Sequence, residues 1–392
     1  MKLTVIGLGQ CGCRIADQFA RLNFKAQSQR KATIAPIVLA VNTDQADLTG
    51  LRFIKNDYMH RVLLGLRQTL GHGVGKINEL GAQLAKADGD KVMDAVKASP
   101  SFYETHAFLL VAGAAGGTGS GALPIISRAV KERYISKPVY ALIVLPFDHE
   151  QKTESRSVYN TATCLKSTYD IVDAVFLADN QRYVRKDASL VTNIDRINRM
   201  IAEPFYDLMC AGEVTRAKYV GSRTIDAGDI NASLEGWTTI GLGRTELPSF
   251  RFPWEIRKKS FRDKALESFR GTHALDATIS DLSLTCSPAD AGKAVYIISG
   301  PERDLNMDMV KSVSDYIKEL APGALIRGGD FPGEKHYIDV TLILSQLSFA
   351  PRIKDFYEQA TQYAKEHGGQ LEETKKRIES LAELSKELPT LE

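Results

Sequence analysis

No stretch of about 18 consecutive apolar residues occurs in the chain, and the opening apolar run around Leu3 to Ile6 is too short for the core of a secretory signal. A membrane-spanning helix is therefore excluded, and a cytoplasmic protein is expected. Cysteine is scarce: five residues, at 11, 13, 164, 210 and 286, are an odd number and lie far apart except for Cys11-Gly-Cys13. That distribution excludes a disulfide scaffold, and no second Cys/His pair partners Cys11 and Cys13 as a metal site would require. A charge excess of one sign is also missing. The formal net charge is only +2, so there is no basic field that would argue for nucleic acid.

The remaining composition, 44% hydrophobic and 25% charged, is that of a globular protein. Its 392 residues exceed a usual single domain, so two domains are expected, with ample length to bury a core.

What the chain does have is glycine in clusters. An apolar run of strand length, Ala107 to Ala112, leads into Gly113-Ala-Ala-Gly116-Gly117-Thr118-Gly119-Ser120-Gly121, and a helical pattern follows. Missing Cβ atoms at the start of a helix let successive N–H groups curl around an anion, and the Thr118 and Ser120 hydroxyls add donors. A second strand-to-helix loop holds Gly7, Gly9 and Gly12 in G-x-G-x-x-G spacing after Leu3 to Ile6. With Asp44 at the end of the next strand, Ile37 to Val41, this pattern supports a dinucleotide-dependent oxidoreductase as an alternative. Against it stands a third loop, Gly71-His-Gly73-Val-Gly75, since three loops can surround a triphosphate from several sides. There is no G-x-x-x-x-G-K-[ST], which excludes an ordinary P-loop.

The segment Ala115 to Gly121 resembles the Gly-Gly-Gly-Thr-Gly-(Ser/Thr)-Gly signature of the tubulin/FtsZ superfamily, with alanine in place of the first glycine. Gly9-Gln10-Cys11-Gly12 and Asn42-Thr43-Asp44 are similar to further motifs of that superfamily. Arg327-Gly-Gly-Asp-Phe-Pro332 with Ala350-Pro-Arg-Ile353 looks most like its archaeal CetZ branch. The resemblance covers the chain to about residue 365.

The resemblance implies an α/β fold: a Rossmann-like parallel-sheet GTPase domain over 1–190, a long central helix over 191–212, a smaller α+β domain with a mixed sheet over 213–365, and a helical tail over 366–392. It implies GTP or GDP with Mg²⁺. Gly9, Gln10, Cys11 and Gly12 would lie against the α/β-phosphates or base. Asn42 and Asp44 would lie near the γ-phosphate, Asp44 reaching Mg²⁺ through water. Gly71, Gly73 and Gly75 would form the γ-phosphate-sensing loop, and Gly113, Gly116, Gly117, Thr118, Gly119 and Ser120 the signature cradle.

A glutamate after the strand Val139 to Leu145 would bind the ribose. Glu154 fits the spacing better than Glu150, and Asn160 is a further candidate. Asn180 and Asn198 match the positions that read the guanine edge, because an amide both donates and accepts. Ile194 stands where the family stacks an aromatic. Asp226 and Asp229 fall in a segment similar to the synergy loop, which enters the next subunit's pocket. A head-to-tail homopolymer with assembly-dependent hydrolysis follows, serving cell shape or division. On their own, two acids three apart at a helix start also suit its positive end, so a purely structural role stays open beside the catalytic one. An inactive GTP-binding scaffold is a further alternative. The stretch from Gly241 to about Arg270 reads as a connection that includes a loop. The charged tail reads as a solvated helix, with membrane or adaptor contact as the lesser reading.

Overall fold

The computed structural model describes residues 1–184, 190–213, 221, 223–247, 261–333 and 336–387. In chain order these form β1 (Leu3–Leu8), α1 (Gly9–Arg30), β2 (Ile37–Asn42), α2 (Gln45–Thr49), β3 (Arg61–Leu63), α3 (Leu66–Thr69), α4 (Asn78–Ala98), β4 (Ala107–Gly113) and α5 (Thr118–Arg133). There follow β5 (Val139–Leu145), α6 (Asp148–Thr153), α7 (Ser155–Tyr169), β6 (Ala174–Asp179), α8 (Leu190–Ala202), α9 (Phe205–Cys210), α10 (Ala227–Ser233) and β7 (Gly236–Glu246). The last third holds α11 (Phe261–Ser280), β8 (Ala291–Gly300), α12 (Met307–Leu320), β9 (Leu325–Pro332), β10 (Tyr337–Leu347) and α13 (Pro351–Glu387).

The strands β1, β2, β4, β5 and β6 are buried on both faces, as the unbroken apolar runs of a parallel sheet require, while the short edge strand β3 is only partly buried. Successive residues point to opposite layers. Val5, Leu109 and Val111 pack with Phe19 of α1, whereas Ile6, Phe108 and Leu110 pack with Val92 of α4 and Ile126 of α5. The sheet order is β3-β2-β1-β4-β5-β6-β7-β10-β8-β9. Strand order reverses between β1 and β4, which both precede glycine loops, and a ligand crevice belongs at the carboxyl ends of strands at such a point.

The smaller mixed sheet continues this sheet. β7 pairs in parallel with β6 over three residues, Ala174↔Gly236 to Phe176↔Thr238, and then antiparallel with β10. One face of its strands packs under α11 and α12 through Tyr296, Ile298, Val340 and Leu342. The other face, with Val295, Ile297 and Ile343, joins the core that holds α1, α8 and α9. The central helical run is divided at Glu203-Pro204 into α8 and α9, where proline has no N–H for a continuing ladder.

The expected connection over 241–270 is corrected at both ends. Residues 241–246 belong to β7, and 261–270 begin α11. Gly241 and Gly243 are there for close packing: a Cβ at Gly243 would come within 2.1 Å of the Ala274 carbonyl oxygen on α11. The part of that connection over 248–260, and Ser222 before the two acids, lie outside the described residues. The tail continues α13 as one helix as far as Glu387. No described helix is long and apolar enough to cross a membrane.

Candidate functional site

A cleft of about 300 Å³ opens at the carboxyl ends of β1, β2, β4, β5 and β6. Two helix N-termini form its floor. α1 starts at Gly9 and α5 at Thr118, and neither has a side-chain cap or an acid in its first turn. Some other helix starts are capped by a side chain, as Asp44 caps α2, Asp226 caps α10 and Asn306 caps α12, while others such as α4 and α9 are not. What sets α1 and α5 apart is that both bare starts open onto one crevice, so two sets of N–H groups without a side-chain cap, with the positive ends of two helix dipoles, are directed at it. That arrangement binds anions.

Glycine is needed at Gly9, where φ is +68° and an added Cβ would lie 2.8 Å from the Gly119 backbone nitrogen. The two loops touch back to back there. Gly116 differs, because nothing lies within 4 Å of the position its Cβ would take. Its missing side chain leaves room for something other than protein.

The expected residues divide into three groups. Gly9, Gln10, Cys11, Asn42, Asp44, Gly73, Gly113, Gly116, Gly117, Thr118, Gly119 and Asn180 line the cleft together. Gly12, Gly71, Ser120 and Asn160 support it from behind, and Gly75 stands in the third loop between Gly73 and Lys76, which do line it. Gly12 lies where a Cβ would meet the Val111 carbonyl oxygen at 2.0 Å. The 71–75 loop is tied to the end of β2, with Gly73 N donating to Thr43 O at 3.1 Å and Gln45 N to Gly71 O at 3.0 Å. The Ser120 hydroxyl turns back to the Gly116 carbonyl, and Thr118 shares a 2.6 Å hydrogen bond with Thr43. Asn160 is buried, and its amide donates to the carbonyls of Lys76, Ala115 and Gly116 at 2.9 to 3.1 Å. It fastens the third loop to the signature loop.

The last group lies outside the lining. Ile194 and Asn198 sit on α8, Asn198 buried and Ile194 partly so. Glu154 pairs with Lys76, and that ammonium holds its carboxyl below the ordinary glutamate range. Of the two glutamates after β5, Glu150 is the one that lines the cleft, and its carboxylate accepts from Phe147 N at 3.0 Å.

Sequence reasoning missed Asp47 and Lys76. Asp47 accepts from Gln10 Nε2 at 2.6 Å and from Asn42 Nδ2 at 3.0 Å, so it orients both side chains. Its signal was the D-x-x-D spacing from Asp44, an acid three residues after a helix cap. Burial, reinforced by the charge of Glu150, pushes the Cys11 thiol up to about 12. The thiol therefore stays neutral and is no nucleophile.

Asp44 uses one carboxylate oxygen to accept from Ala46 N and Asp47 N at 2.9 and 3.1 Å. Its other oxygen has no hydrogen bond among the described residues. Among those residues no three metal-ligating side chains cluster. The open Asp44 oxygen is the kind of single carboxylate ligand that Mg²⁺ takes together with waters and phosphate oxygens.

Asp226 and Asp229 are not in this cleft. Asp226 is exposed and accepts from Asp229 N at 2.7 Å, while Asp229 is partly buried and paired with Arg327 at 3.1 Å. α10 ends just before β7, whose first residue lies beside the first residue of β6. Its Asn231 accepts from Tyr140, the second residue of β5, at 2.9 Å. The acids therefore stand at the amino ends of the strands, roughly 20 Å from the cleft across a seven-residue strand.

Residues 2–186 match the model of the tubulin/FtsZ family, GTPase domain, and residues 187–362 match that of the tubulin-like CetZ C-terminal domain. Tubulin-like protein CetZ1 of Haloferax volcanii is 32% identical over 383 residues, 92% of each chain. The chain belongs to the CetZ family. It is accordingly a GTPase of the tubulin/FtsZ type, and the oxidoreductase alternative falls. Two solved structures are similar over nearly the whole length. The GDP-bound monomer of CetZ1 from H. volcanii has a TM-score of 0.79 at 30% identity, covering 93% of this chain and 99% of that one. The GTPγS-bound protofilament of CetZ2 from the same organism has a TM-score of 0.78 at 27% identity, covering 94% and 100%. CetZ proteins thus include a filament former, and this CetZ chain shares their fold over 93 to 94% of its length.

Proposed function

We propose that this CetZ protein binds GTP in the cleft and assembles head to tail, and that Asp226 and Asp229 of one copy complete the hydrolytic site of the next. The observation that carries the reading is the placement of the anion-binding cleft and the two acids at opposite ends of one sheet. No movement inside a packed domain brings them together, whereas a second copy translated along the strands does. Such a contact is heterologous and does not close, so it propagates as a filament.

Within the cleft the phosphates lie on the N-termini of α1 and α5, with Mg²⁺ held through water at Asp44. Glu150 faces the ribose, since a carboxylate is repelled by phosphates but accepts from hydroxyls. Asn180 reads the guanine edge, and Asn198 on α8 supports that wall from within the core. Phosphoryl transfer needs chiefly positioning and charge control, and the acids of the neighbour orient the attacking water. The filament serves cell shape or division, which the pattern made by a fluorescent fusion in cells would distinguish from a diffuse enzyme.

The test is phosphate release with GTP and Mg²⁺ over a range of protein concentration, with light scattering recorded in parallel. Turnover per subunit that rises with scattering above a threshold is the expected result. Turnover per subunit that is independent of concentration would refute the shared site. Tight GTP binding with no turnover in assembled protein would instead mark an inactive scaffold.

A further inference from the structure

Four charged residues line the cleft among the described residues: Asp44, Asp47, Glu150 and Lys76. Three carboxylates and one ammonium face a ligand that carries its own negative charge, so the single cation has no substitute among the side chains there. Lys76 is held in place by several contacts. Its carbonyl accepts from buried Asn160 at 2.9 Å and from Arg156 Nε at 3.2 Å, and Asn160 also grips Ala115 and Gly116. Its backbone lies against Gly117, where an added Cβ would come 2.9 Å from the Lys76 carbonyl carbon. Lys76 itself has φ of +64°, a left-handed conformation that a lysine adopts only at a cost and that persists where the surroundings impose it. The side chain therefore springs from directly beside the uncapped start of α5. Its ammonium rests on Glu154, in an ion pair whose side chains are 52% and 42% exposed. Pairs that exposed are weak and exchange readily.

We propose that Lys76 is the residue by which this CetZ protein distinguishes GTP from GDP. With the terminal phosphate absent, its ammonium is parked on Glu154; with that phosphate bound, it leaves Glu154 and donates to the phosphate oxygens. The stem of about four methylenes lets the ammonium change partner while the backbone stays fixed by Asn160. Glu154 thereby competes with the nucleotide for one cation. The inference rests on the cleft being the nucleotide site.

The experiment is a titration of fluorescent GTP and GDP, in EDTA so that Mg²⁺ does not mask the lysine, against wild type, K76A, K76Q, K76R and E154Q. K76A and K76Q should weaken GTP by about 10- to 100-fold, the range of a hydrogen bond between charged groups, and GDP by clearly less. K76R should recover part of that loss. E154Q should shift GTP the other way, tightening it about two- to fivefold by removing an exposed competitor. Equal losses for GTP and GDP in K76A and K76Q, or a weakening of both nucleotides in E154Q, would overturn the proposal; the second result would make Glu154 a ribose ligand instead. Wild type that binds neither nucleotide would refute the site itself, and this inference with it.

Discussion

A shared hydrolytic site can be tested by giving its two halves to different molecules. Gly116→Asp adds a carboxylate where nothing lies within 4 Å, so the chain folds while the phosphate cradle carries bulk and negative charge. Asp226→Asn combined with Asp229→Asn leaves the cleft intact and removes the acids. Asparagine still caps α10 at 226, and the partly exposed Asp229–Arg327 pair is worth less than about 1 kcal/mol, so this variant should lose no more than about 1 kcal/mol of stability. Each variant alone should turn over GTP at least about 100-fold more slowly than wild type, the lower range for a lost general base or water-orienting group. In an equal mixture that copolymerises at random, a competent pocket meets competent acids at one half times one half of the contacts. Turnover should recover to about one quarter of wild type, or less where empty pockets weaken their contacts, because head-to-tail contacts pair each cleft with one neighbour. The assay is phosphate release on the two proteins separately and mixed, with sedimentation confirming copolymer. If copolymer forms and the mixture shows only the average of its components, each copy hydrolyses with its own residues and the argument from opposite ends of the sheet is wrong.

Three further outcomes follow from single contacts. Gly9→Ala places a Cβ 2.8 Å from the Gly119 nitrogen at a positive φ, so it should cost about 1 to 3 kcal/mol and abolish nucleotide binding; a melting temperature and a nucleotide titration equal to wild type would contradict this. Arg352→Ala removes the guanidinium that joins Asp148 at 2.7 Å to Asp179 at 3.2 Å, and these flank Glu150 and Asn180. Nucleotide dissociation followed by stopped-flow should quicken several-fold, with the buried Asp179 keeping Gln181 N but losing its guanidinium partner at a cost of about 1 to 3 kcal/mol. Burial alone would raise the Glu203 carboxyl, but Lys25 and Arg21 outweigh it and hold it below the ordinary glutamate value of 4.5. A depressed carboxyl stabilises the fold above that value and loses its contribution as pH falls through the native pKa, so Glu203→Gln should lower the melting temperature near neutrality and converge with wild type in acid; a gap that stayed constant with pH would exclude the ion pair as its source.

The strands of the first domain and most of the cleft were legible because they depend on local patterns. Apolar runs of strand length ending in glycine loops carry their own periodicity and their own breaks, and Ala107 to Ala112 and Val139 to Leu145 became β4 and β5 with little change. What was not legible depends on contacts made far along the chain. Gly241 and Gly243 read as loop glycines because nothing local shows that Thr278 and Ala274 of α11 press against them. Glu154 fitted a spacing, but α6 turns Glu150 into the cleft and leaves Glu154 on Lys76. Lys76 itself stands one residue beyond the third glycine loop, where nothing local marks it. It takes Arg156 and Asn160, 80 and 84 residues later, to show that its backbone is fixed against the phosphate cradle.

The cleft and the second domain are also less separate than two domains imply. The end of β6, which presents Asn180, is held from the C-terminal half at several points: the Ser283 hydroxyl donates to Leu177 O at 2.6 Å, Asp179 N donates to Ser283 O at 2.8 Å, and Arg352 at the start of α13 pairs with Asp179. Ser283 further bonds the Thr239 hydroxyl at 3.0 Å, on the strand that follows α10. A short chain of packed and hydrogen-bonded groups thus runs from the wall of one copy's cleft through β7 toward the acids that would serve the next copy. A displacement of Asn180 by a bound base has to move Ser283 and β7 with it or break buried hydrogen bonds, each worth about 1 kcal/mol. The cheaper course is a concerted shift of the two halves, so occupancy of the cleft and the presentation of Asp226 and Asp229 at the far end are expected to depend on each other.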